Sequence, residues 1–243
     1  MHKTILLAIL FLASTQIFGQ AGQFFDAPFG GGIGYAPAWY IPNIDPINSQ
    51  LKQIGMPELN TSGFYSSGIA GFLYIGFVKD FRIGGMGFGG SLSTSQNIDN
   101  LNKEVVYSLS GGGVTLEYTL PFIKNFGVSV GAIVGAGSME LDFYRNTGEF
   151  SWSGMWEELS DPNTSSDSYY GKLRNHYWMI TPTVNLDYPI YRFVVIRLGV
   201  GYQLTFADDW KADNDQPVSG IPTDLNGNSF FIQSGIFVGF FSF

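Results

Sequence analysis

The chain has 243 residues, of which 13% are charged, 16% aromatic and 45% hydrophobic, with 32 glycines. Soluble domains carry about 25% charged residues, so much of this surface is not built to meet water. A formal net charge of −8 excludes nucleic acid as a natural partner, and the absence of cysteine excludes disulfides and thiolate metal sites.

The chain opens with Met1-His2-Lys3-Thr4 and an apolar run over 5–13. A short positive start before an apolar run of this length predicts a secretory signal peptide. Small residues around Gly19 and Ala21 offer a cleavage site, favoured after Gly19, which divides the chain into a leader over 1–19 and one domain over 20–243. A spanning helix needs about 20 apolar residues, and no later stretch reaches that length without Gly, Pro or charge.

Beyond the leader, apolar residues alternate with period two, and helical periodicity is nearly absent. Eight strands are predicted, over 28–39, 66–78, 81–94, 104–120, 126–142, 176–189, 193–207 and 229–243. Short connections at 78–81, 121–126 and 189–193 alternate with long ones at 40–65, 95–103, 143–175 and 208–228. Tight turns on one side and long loops on the other mark a bacterial transmembrane barrel, with turns in the periplasm and loops outside. The expected fold class is therefore all-β: an eight-stranded antiparallel up-and-down transmembrane β-barrel.

Details within this pattern carry further expectations. Residues 45–55 read as a short helix, capped by Asp45 with Pro46 in its first turn, able to fold over the barrel mouth. Gly30, Gly32, Gly34, Gly131, Gly135, Gly137, Gly199 and Gly201 fall on faces assigned inward, which would either leave the outer lumen open or permit the strong coiling of a small barrel. Pro182 cannot donate to the ladder and predicts a bulge. In the last strand, Ile236, Val238 and Phe240 are assigned inward, which would make the lumen partly apolar.

Alternation alone does not say which face is inside, since a soluble eight-stranded barrel puts its apolar face inward. Three features favour the membrane. The polar faces are mostly Gly, Ser, Thr and Asn rather than Lys and Glu. Strands 66–78 and 229–243 are apolar on both faces. Aromatics gather at strand ends (Trp39, Tyr40, Tyr65, Phe81, Tyr118, Phe126, Tyr177, Trp178, Tyr188, Phe193, Phe206 and Trp210), as in the two girdles of a membrane barrel.

The leader, eight strands, alternating turn lengths and aromatic end at Phe241 and Phe243 resemble the small outer-membrane barrel superfamily of the OmpA membrane domain, OmpX and OmpW types. The resemblance implies that Phe241 and Phe243 belong to a signal read by the barrel-assembly machinery, although Gly235 and Gly239 depart from its usual bulky residues. It implies outer-membrane lipids and lipopolysaccharide as surroundings, a monomer, no cofactor, and an OmpW-like route for a small apolar ligand.

Residues able to carry chemistry are few. His176 is the only histidine beyond the leader, and barrel lipid enzymes resemble this chain in placing a histidine near the outer surface. Ser165, Ser166, Asp167 and Ser168 lie nearby, but no spacing links them to His176 as nucleophile and base, so an interfacial histidine is favoured over an enzyme. Glu117, Asp187 and Arg197 are assigned inward near the periplasmic mouth, where buried charges must pair. They predict either a salt-bridge plug or a charged constriction, and the plug is favoured because eight-stranded interiors are just wide enough for side chains to fill. The long loops are acidic, with Trp152, Trp156, Glu157 and Glu158 in the third and Trp210, Asp213 and Asp215 in the fourth. Trp beside carboxylates can hold sugars, but Asp213-Asn214-Asp215 lacks the glycine and distal Glu of a calcium loop, so no metal is assigned. The expected function is a non-enzymatic outer-membrane barrel that binds or passes a small molecule. The alternative is a structural or adhesive surface barrel with a plugged interior.

Overall fold

The computed structural model describes residues 29–121, 126–147, 151–160, 168–191 and 193–242. The leader over 1–19 and Phe243 lie outside the described residues, as do the side chains of Phe241, Glu157 and Glu158. The described residues form a ring of nine antiparallel segments: β1 Phe29–Tyr35, β2 Ala38–Pro42, β3 Phe64–Tyr74, β4 Phe81–Ile98, β5 Leu101–Thr119, β6 Gly127–Asn146, β7 Tyr169–Tyr191, β8 Val194–Ala207 and β9 Ser229–Ser242.

β1 and β2 are one stave. Gly31↔Leu73 and Ala38↔Ser66 keep a single register on β3, and Gly31↔Phe240 and Ala38↔Gln233 keep one on β9. The break falls at Pro37, which has no N–H to give. Its carbonyl still accepts from the Ser234 N–H at 2.9 Å, and the Ala36 N–H donates to Gly68 at 2.9 Å. The barrel thus has eight staves, closed between β1–β2 and β9.

The outer face carries a continuous apolar band. On β7, Trp178, Ile180, Val184, Leu186 and Tyr188 are all exposed, while Tyr177, Thr181, Thr183, Asn185 and Asp187 are buried. From Trp178 to Tyr188 the strand climbs about 33 Å, or ~25 Å of height at ~40° of tilt, which is the height of the lipid-facing band in membrane barrels. Among the described residues, no helix is long and apolar enough to cross a membrane.

Several boundaries differ from expectation. The long loop expected at 95–103 is a two-residue turn, because β4 runs to Ile98 and β5 starts at Leu101. Asp99 and Asn100 have φ of 52° and 64°, the left-handed pair of a tight hairpin, and short polar side chains tolerate that backbone. β6 and β7 likewise run on, so the third connection shrinks to 147–168 and contains α2 (Trp152–Ser160). No register shift occurs at Pro182, since Ile180↔Leu204 and Thr183↔Gly201 share one register. The irregularity lies at Pro189–Tyr191, beside the turn.

The expected helix forms as α1 (Asp45–Gln53), with Pro46 in its first turn. Ile44 rather than Asp45 occupies its N-cap, and no side chain caps it. Ile44, Ile47 and Leu51 are buried, so α1 closes the outer mouth of the barrel. Buried Asn48 locks the lid: its amide donates to the Leu59 carbonyl at 3.0 Å and its Oδ1 accepts the Leu59 N–H at 2.8 Å.

The last strand has the opposite facing to that expected. Ile236, Val238 and Phe240 are exposed, whereas Phe231, Gln233, Gly235 and Phe237 are buried. A stave with aromatics on both faces offers little alternation to read, and the packing of Phe237 against Phe72 at 5.5 Å decides it. Tyr40, Tyr177 and Trp210 also leave the girdles assigned to them: all three are buried in the interior. Tyr40 stacks between Phe88 at 4.9 Å and Phe231 at 5.0 Å, placing an aromatic layer beneath α1.

Candidate functional site

Alternation sends polar side chains inward along every stave, so charged residues at matching heights must meet in the lumen. Two cross-strand pairs do so: Arg82 on β4 opposite Glu117 on β5, and Asp187 on β7 opposite Arg197 on β8. All four are buried. Arg197 grips both carboxylates. It donates to Asp187 at 2.7 and 2.9 Å and to Glu117 at 2.9 and 3.1 Å. Arg82 reaches Asp187 at 2.7 Å and Glu117 at 2.8 Å.

The quartet rests on an aromatic floor. The Arg82 guanidinium lies 4.8 Å from the Phe72 ring, and that of Arg197 lies 4.9 Å from Phe237 and 5.2 Å from Phe72. Polar neighbours extend it outward, since Asn185 donates to Glu117 at 3.3 Å and Gln233 donates to Asn185 at 2.5 Å. Two cations and two anions cancel, and every charge is committed to another. Sequence reasoning found Glu117, Asp187 and Arg197 but missed Arg82. Its position beside outward Ile83 was the available signal, because strand alternation then turns Arg82 inward.

The lumen is filled rather than open. A cavity of about 20 Å³ remains beside Arg197, Thr183 and Asn185, which is room for one water. Some inward glycines admit neighbouring side chains, while Gly32, Gly34 and Gly135 lie close against the backbone of the next stave. A Cβ on Gly201 would sit 2.5 Å from the Phe231 ring, and one on Gly199 would collide with Asn185 and Gln233. Gly199 and Gly201 thus admit large partners in place of empty space.

At the outer rim the predicted ligand residues differ in exposure. Trp152 and Trp156 are exposed on α2, edge to face at 5.6 Å, with Met155 exposed beside them. Trp210, expected with Asp213 and Asp215, is instead buried in the core under the fourth loop. Asp213 and Asp215 are exposed, and no group of three or more His, Asp or Glu side chains among the described residues is placed to hold a metal ion.

His176 lies on the outward face of β7, with Ser138 opposite it in register. Ser138 is hydrogen-bonded to Ser110 at 3.1 Å, and the His176 imidazole has no hydrogen bond among the described residues. Ser165, Ser166 and Asp167 lie outside the described residues. Among the described residues, no hydrogen bond joins His176 to a serine. Above His176 on the same face, Arg174 and Lys172 bind Glu140 of β6 at 2.8 and 2.6 Å. Partial burial would raise the Glu140 carboxyl, but the Lys172 hydrogen bond and the two cations outweigh it and hold the group below the usual carboxylate range.

A closed antiparallel ring of eight staves with an apolar outer band is the architecture of the small outer-membrane barrels. No protein-family model matches the chain, and no curated protein matches it. Among solved structures it is similar to a major outer membrane protein from Thermus thermophilus, at 9% identity over 87% of this chain and 99% of that one, with a TM-score of 0.47. It is also similar to Ail, the attachment invasion locus protein of Yersinia pestis, solved in complex with the heparin analogue sucrose octasulfate, at 13% identity over 87% of this chain and 99% of that one, with a TM-score of 0.40.

Proposed function

We propose that this protein is a non-enzymatic, non-conducting barrel of the bacterial outer membrane that presents a rigid extracellular surface. The leader over 1–19 would deliver it, the barrel-assembly machinery would read Phe241 and Phe243, and lipopolysaccharide would surround it as a monomer. The filled lumen carries the reading. The charge quartet, the Tyr40–Phe88–Phe231 layer and the α1 lid block the axis at successive heights. Passage of a small apolar molecule along that axis has no path among the described residues. The working part would be the outer half, where β4 to β7 outrun the apolar band and carry α2 with its exposed tryptophans.

Conductance of the refolded barrel in a planar bilayer tests this. Both the native protein and Arg197→Ala should be silent, because removing one side chain leaves two further layers in place. Discrete openings from a correctly folded native barrel, judged by heat-dependent gel mobility, would refute the reading.

A further inference from the structure

The outward face of β7 changes character just above the lipid band. Below stands Trp178, 68% exposed, at the outer edge of the apolar belt. Above it, at two-residue steps of about 7 Å along the strand, come His176, Arg174 and Lys172 on the same face. This is the depth of lipid headgroups, where Trp marks the boundary between hydrocarbon and water.

The fourth loop pairs edge to edge with this stretch of β7. The Lys211 N–H donates to the Arg174 carbonyl at 2.9 Å, the Lys211 carbonyl accepts the Arg174 N–H at 2.8 Å, and the Asp208 N–H donates to the His176 carbonyl at 2.9 Å. Between loop and strand lies a cavity of about 280 Å³, where a water takes ~30 Å³. Its lining carries four basic side chains, Lys172, Arg174 and His176 of β7 and Lys211 of the loop, together with Asp208, Asp209, Asp213 and Asp215 of the loop. Among the described residues, none of these aspartates closes an ion pair with any of the four basic side chains. Lys172 and Arg174 spend part of their bonding on Glu140, but Arg174 does so through Nε alone, and Lys211 and His176 have no acidic partner among the described residues.

Opposite charges thus line one cavity without pairing with each other among the described residues. A simple phosphate would meet the aspartates as well as the cations, and a simple amine the reverse. A ligand carrying both would satisfy both kinds of side chain. We infer that this flank cavity binds a zwitterionic phosphate–amine headgroup of the phosphoethanolamine class. Its phosphate would sit on Arg174, His176 and Lys211 and its ammonium on the loop aspartates. Any attached acyl chains would run down past Trp178 and Ile180. The inference goes beyond the display reading and does not depend on it.

Native mass spectrometry of the detergent-solubilised barrel, with folding confirmed by heat-dependent gel mobility, tests the site. The probes are a phosphatidylethanolamine, a phosphatidylglycerol with the same chains, and free phosphoethanolamine. The ethanolamine lipid should be retained about tenfold over the glycerol lipid, the effect of one charge-assisted hydrogen bond pair. Lys211→Gln, and separately Asp213→Asn with Asp215→Asn, should each cut its retention about tenfold. These exposed changes leave the core untouched. Displacement by free phosphoethanolamine would assign the site to the headgroup alone, and failure to displace would assign it to the lipid. Equal retention of the two lipids, or unchanged retention in both variants, overturns the inference.

Discussion

Replacing Arg197 by methionine tests whether the quartet stabilises the barrel or merely occupies it. Arg197 donates four hydrogen bonds, between 2.7 and 3.1 Å, to two carboxylates. Without it, Asp187 and Glu117 share Arg82 alone, and the buried site carries one uncompensated negative charge. Breaking a buried pair in this way costs ~3–5 kcal/mol. Adding Glu117→Gln restores neutrality, leaving Arg82 with Asp187. The double variant should therefore be more stable than Arg197→Met by about 1 kcal/mol or more, although it has lost more polar contacts. Equilibrium urea unfolding in lipid vesicles, followed by tryptophan emission and gel mobility, measures both. A loss under about 1 kcal/mol for Arg197→Met, or additive losses in the double variant, would mean that water screens the quartet, and the neutrality reasoning would fail.

Three further outcomes are expected. Phe231→Ala removes a fully buried ring from the stack with Tyr40 and should cost ~3–5 kcal/mol in the same unfolding assay. Gly201→Leu should destabilise by about 1–3 kcal/mol through overpacking against Phe231, and pairing it with Phe231→Ala should recover part of the loss. The Glu140 carboxyl, held low when folded, contributes stability that is present above its unfolded pKa and lost as pH falls through the folded value. Its NMR titration midpoint should lie below that of an ordinary glutamate, ~4.3, and Lys172→Gln should raise it. A midpoint at or above the ordinary value would show that the Lys172 pair does not persist in solution.

Strand existence and facing were legible wherever one face was apolar and the other polar, as from Trp178 to Tyr188. β9 was misread because both its faces are apolar or aromatic, and only packing against Phe72 chooses between them. The strand ends above the membrane were hidden for a related reason: beyond Thr94, Ser95 to Asn97 is wholly polar, and pairing with Leu101 to Glu104 keeps the stretch to Ile98 extended. Three members of the quartet followed from alternation and the cost of a lone buried charge. The meeting of its two hairpins across the lumen is a tertiary fact. So is the flank cavity, which depends on the fourth loop lying on β7.

The Asp99–Asn100 turn sets an order of assembly. Closing a loop costs (3/2)RT ln n, so a two-residue connection is favoured by about 2 kcal/mol over one ten times longer. The other outer connections span 43–63, 147–168 and 208–228. β4 and β5 can therefore zip from their tip without waiting for distant chain, through an unbroken ladder from Ile98↔Leu101 to Phe81↔Tyr118. That zipper ends by bringing Arg82 to Glu117. Half of the buried charge would thus be neutralised within one hairpin before the ring closes, and the nascent barrel would enter the hydrocarbon with this pair already matched.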